Sequence, residues 1–96
     1  MLDAYLDAVA ATDEDTRRRC LERHATQIRS RVRELSSKTY WEKLGTTPEF
    51  VVLFLPAESF FSAAVEMDHT LIEYAADNRV VLASPTTLIA LLKAIA

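Results

Sequence analysis

The sequence is poor in the residues that staple, hinge or anchor a chain. Its one cysteine, Cys20, has no partner for an internal disulfide, and neither a paired-cysteine zinc motif nor a C-x-x-C redox motif can be built from it. A reducing, cytoplasmic setting is therefore expected. Its one glycine, Gly45, leaves no glycine-rich loop that could bring backbone close to a phosphate. No run approaches the ~20 consecutive apolar residues of a membrane helix, and the opening MLDAYLDAVAATDEDTRRR puts acids where a secretion signal needs basic residues and then an apolar run. Direct membrane insertion by this segment is not expected; an anchor of a longer parent would lie outside it. Ninety-six residues, half of them apolar, allow one domain with a limited core.

What is present is unevenly charged. Residues 17–43 hold nine Lys/Arg against Glu22, Glu34 and Glu42, a local +6, whereas the rest holds two basic residues against eleven acids, or −9. Such asymmetry marks either a nucleic-acid-facing element or a solvated helix beside an acidic neighbour. Leu2, Tyr5, Leu6 and Val9 share helical spacing and predict a helix over about 2–11. A second helix is expected over 13–36, capped by Thr12 or Asp13, with Asp13, Glu14 and Asp15 at the positive end of its dipole. Leu21, Ala25, Ile28, Val32 and Leu35 form its apolar stripe, with His24 at the edge and Arg18, Arg29 and Arg33 together on the polar face.

The stretch LSSKTYWEKLGTTPEF interrupts the regularity, with one short helical turn expected at Tyr40 to Leu44. FVVLFL and RVVLAS read as strands over 50–55 and 79–84, buried on both faces because neither alternates. Helices over 57–66 and 68–77, the latter capped by Asp68, separate them, and PTTLIALLKAIA predicts a helix over 85–96 with Ser84 as its cap. The connection is long enough to join parallel strands, so the fold class is α/β, helix-rich, with a right-handed βαβ unit. The echo VVLFLP and VVLASP then has a structural cause: buried strand, followed by a proline at a helix start. Two parallel strands leave both sheet edges open. An excised piece of a larger protein, prone to self-association, is the expectation.

The pieces LSSKTYW, FVVLFLPAESFFSAA and RVVLASPTTLIALLKAIA resemble the core of the RmuC family, bacterial proteins linked to DNA recombination. The resemblance runs from Leu2 to Ala96. It implies an incomplete core related to the PD-(D/E)XK nucleases, in which an acidic pair and a lysine hold a divalent metal such as magnesium and activate water. In that family the D-x-K-like strand lies just before the segment resembling LDAYLDA, and this sequence does not hold it. No catalytic set and no metal ligands are therefore assigned to this chain, and no cofactor beyond a magnesium ion in the parent. Asp3 and Asp7, four apart, read either as a shared ligand pair or as solvated surface.

The remaining candidates are binding residues. The resemblance places His24, Arg29 and Arg31 on the family's His, Arg and following basic or His positions. With Arg33 they would pair with phosphates of DNA bound by the parent. Lys38 reads as a phosphate contact or as solvent, and Tyr40 and Trp41 as an aromatic wall or as cover for the sheet. Thr86 and Thr87, at a helix start beside Ser84, offer an anion site or simple capping. Glu58 reads as a first-turn residue of its helix, His69 as surface, and Phe60, Phe61 and Tyr74 as core. Two functions remain: a scaffold with DNA-backbone contacts in a nuclease-like domain, or a non-enzymatic α/β assembly module.

Overall fold

The computed structural model describes residues 3–46 and 48–95. In chain order these form α1 (Asp3–Ala10), α2 (Glu14–Leu35), α3 (Lys38–Lys43), β1 (Val51–Phe54), α4 (Glu58–Met67), α5 (Leu71–Asp77), β2 (Val80–Ala83) and α6 (Pro85–Ile95). The expected ends at Leu2 and Ala96 lie outside the described residues. No helix among the described residues is long and apolar enough to cross a membrane.

β1 and β2 pair in parallel, and the repeated V-V-L pieces stack residue for residue: Val51 with Val80, Val52 with Val81, Leu53 with Leu82. The ladder continues past the strand ends, with Val51 N–H donating to Arg79 O at 2.9 Å and Leu55 N–H to Ala83 O at 2.7 Å. Leu53, Leu55, Val80 and Leu82 are buried, and with Ala25, Ile28, Val32 and Leu35 of α2 they make one core that Ala64, Leu71 and Ala75 complete. Ile28 and Val32 are fully enclosed, each contributing about 1.5–3 kcal/mol by burial. Ala4 and Ala8, also buried, let α1 approach α2 closely.

The expectation of strands covered on both faces is corrected for β1. Phe54 is 42% exposed between buried Leu53 and Leu55, so an alternation hidden by uniformly apolar residues is present. Two smaller corrections concern helix starts. Pro56 lies ahead of α4 rather than in its first turn, because Ala57 is still extended (φ −146°); Pro85 does open α6. Helix α5 begins at Leu71, three residues after Asp68, whose Oδ1 instead accepts from Thr70 N–H at 3.1 Å and Thr70 Oγ1 at 2.8 Å. The turn expected at Tyr40 to Leu44 is α3, which starts two residues earlier.

Among the described residues, two helices end on a left-handed residue. After α3 it is Gly45 (φ +70°), where a side chain would be strained. After α5 it is Arg79 (φ +61°), which carries that strain.

Candidate functional site

Helix α2 is where the basic residues concentrate, and its N-terminal half neutralises them locally. Asp13 caps the helix through its Oδ2, which accepts from Thr16 N–H at 2.9 Å. Arg17 pairs with Glu14 and Arg18 with Asp15, both at 3.2 Å; Arg19 pairs with Asp15 at 3.3 Å. Arg23 reaches Asp7 of α1 at 2.6 Å, so Asp7 is an ion-pair partner that ties α1 to α2. The Asp7 pair raises the affinity of Arg23 for its proton, chiefly through the hydrogen bond.

The predicted binding residues separate into engaged and open. His24 is corrected from the edge of the stripe to the core. It is 1% exposed, its Nε2 lies 2.9 Å from Phe60 O, and its ring packs with Tyr5 and Phe60. In this position it turns no face to a phosphate. Arg29 leaves the polar face: its Nη1 donates to Asp68 Oδ2 at 2.8 Å, and its guanidinium lies 3.9 Å from the centre of the Tyr74 ring. Hydrogen bonding from the Thr70 hydroxyl, then from Thr70 N–H and Arg29, outweighs burial and holds the Asp68 carboxyl below its ordinary value. Arg31 is paired with Glu34 at 2.7 Å.

At the start of α6, Ser84 Oγ accepts from Thr87 N–H at 3.3 Å and lies 2.9 Å from Thr87 Oγ1. Thr86 N–H donates to Glu58 Oε1 at 2.8 Å, across 28 residues of sequence. The anion at this helix start is thus the protein's own carboxylate, which satisfies a free N–H and joins the two helix starts that follow the strands. Thr86 first, through side chain and backbone, and then Ser84 hold the Glu58 carboxyl below its usual range.

Arg33, Lys38, Lys43, Arg79 and Lys93 have no ion-pair partner among the described residues. Lys38 and Arg79 line one cleft of about 370 Å³ at the N-terminal ends of the strands. Trp41, Phe50 and Leu35 give it apolar walls, and Asn78 and Asp77 close the side toward α5. The Trp41 ring is fixed by an Nε1–H bond to Leu35 O and an edge contact with Tyr40, centroids 4.9 Å apart. Tyr40 packs on the core, whereas Trp41 lines the cleft, so the two aromatics divide the roles expected of them. Arg79 was not among the residues marked by sequence. Its only signal is a cation directly after Asn78, where a helix end favours glycine.

The sequence model of the RmuC family matches residues 1–96. The chain belongs to the RmuC family. A DNA recombination protein RmuC homolog of Zymomonas mobilis is 46% identical over 95 residues, 99% of this chain and 21% of that protein. The RmuC homolog of Chlamydia pneumoniae is 49% identical over 70 residues, covering 73% of this chain and 17% of its own length. That of Pseudomonas aeruginosa is 39% identical over 95 residues, 98% and 21% respectively. The chain thus spans about a fifth of the length of these RmuC relatives. No solved structure matches the chain.

Proposed function

We propose that this chain supplies the scaffold and part of the DNA-backbone contact surface of a recombination protein of the RmuC type. Its helices and parallel strand pair would belong to a PD-(D/E)XK-like core whose metal-binding acids and lysine lie elsewhere in such proteins. The observation that carries the reading is the group of cations left without carboxylates among the described residues. Arg33 and Lys43 each lie five residues from Lys38, which shares its cleft with Arg79. Unpaired cations are the ones that release counterions when they meet phosphate. The likeness to proteins named for DNA recombination supplies the polymer.

The test is duplex binding across a salt series. Arg33→Ala with Lys38→Ala should reduce the slope of log affinity on log salt by about two, one per phosphate contact. An unchanged slope would remove this surface from the function. A second reading has its own support, since Ile89, Leu92 and Ile95 are 57%, 56% and 67% exposed along α6. An apolar stripe of this kind suits assembly, either between copies or with the remainder of an RmuC-type protein. Sedimentation should show concentration-dependent oligomers, and a strictly monomeric chain would eliminate self-association.

A further inference from the structure

We propose that the cleft between the end of α2, α3 and the Asn78–Arg79 turn binds a single nucleotide unit, with its base against Trp41 and Phe50 and its phosphate on Lys38 and Arg79. The volume of about 370 Å³ falls within the ~300–1,000 Å³ of small-molecule sites. Aromatic walls give a flat ring a stacking surface that tolerates any base. Trp41 is held on two sides before a ligand arrives, by Leu35 O and by Tyr40, so little ordering is left to oppose binding.

Charge narrows the class. The lining carries two cations that have no ion-pair partner among the described residues against one acid, Asp77, and this balance suits one phosphate rather than a triphosphate. Arg79 supplies an independent observation. It occupies a left-handed backbone position that glycine fills at the end of α3, and it is exposed and without an ion-pair partner among the described residues. Neither packing nor a salt bridge accounts for a side chain there. A guanidinium at the mouth of an anion site does. The inference goes beyond the duplex-backbone reading and shares Lys38 with it. Arg33, outside the cleft lining, reports duplex binding alone and Arg79 reports mononucleotide binding, so the failure of one is told apart from the failure of the other.

Trp41 is the chain's only tryptophan, so its fluorescence reports the cleft directly. Adenosine monophosphate should quench it saturably, with adenosine and inorganic phosphate each weaker by about tenfold or more. Arg79→Gly should weaken the monophosphate on the order of tenfold to a hundredfold, while the melting temperature holds or rises because the backbone strain is relieved. Lys38→Met, at an exposed helix start, gives a second reading that does not depend on the turn. A 5′-phosphorylated oligodeoxyadenylate separates the sources: tighter binding than the monophosphate assigns the cleft to a DNA strand, and equal binding to a free nucleotide. Three results would overturn the proposal: no response to either probe at millimolar concentration, adenosine binding as well as its monophosphate, or both variants binding like the parent chain.

Discussion

Arg17, Arg18 and Arg19, at the start of α2, each have a carboxylate one turn back, whereas Arg33, in its last turn, has none among the described residues. The same residue type on the same helix is therefore in two electrical states. Of the nine cations between residues 17 and 43, six are paired among the described residues, leaving Arg33, Lys38 and Lys43. A basic helix is thus less basic as a surface than as a sequence, and its open charge lies toward α3. Exposed pairs of this kind stabilise little, but they occupy the cation.

Arg29 is paired but also less exposed and packed on an aromatic ring, and removing it should have the largest effect. It is about one-third exposed, binds Asp68 and covers the Tyr74 ring, so it fastens α2 to the junction of α4 and α5. Arg29→Met should lower unfolding free energy by about 1–3 kcal/mol, between the cost of breaking a surface pair and that of breaking a buried one. Arg33→Met should stay within about 0.5 kcal/mol. Urea unfolding of the two variants measures the difference, and equal values would dissolve the distinction between a fastening arginine and an open one.

The legible part of this arrangement is local. The pairs of Arg17, Arg18, Arg19 and Arg31 follow from acids three or four positions away, and the α2 stripe follows from its 3.6-residue period. The V-V-L echo foretells two strands, and the long connection foretells that they run parallel. What stayed hidden is set by partners distant in sequence: Asp68 for Arg29 at 39 residues, Phe60 for His24 at 36, Thr86 for Glu58 at 28. A residue's helical face was readable, but not which faces the fold would cover. The exposed side of β1 was unreadable for another reason. Phe54 and Leu55 are both apolar, and only position in the pleat separates the 42% exposed Phe54 from the buried Leu55.

Acid should act on the fastened region before the open one. The Asp68 carboxyl is held below its ordinary value by Thr70 and then Arg29. A depressed folded-state value means that its contribution is complete above the unfolded value near 3.9 and disappears as pH falls through the folded one. Asp68→Asn keeps an acceptor for Thr70 but gives up the charge facing Arg29. The variant should therefore be less stable at neutral pH and lose less stability than the parent chain between about pH 4 and pH 2. Urea midpoints at several pH values check this, and parallel curves would place the acid sensitivity elsewhere.

The smallest expected effect is at the paired end. Arg18→Ala with Arg19→Ala removes two charges that Asp15 already engages, from side chains 62% and 66% exposed. Stability should change by no more than about 0.5 kcal/mol. The distance to Arg33 is fifteen residues of helix, roughly 22 Å at 1.5 Å per residue, and the screening length at physiological salt is about 8 Å. Charges lost at the start of α2 are thus hardly felt at its end. The salt slope of duplex binding should stay that of the parent chain, in contrast to the loss expected for Arg33→Ala with Lys38→Ala. If the two double variants lower the slope equally, the pairs at the start of α2 open when DNA arrives, and the whole helix rather than its last turn faces the polymer.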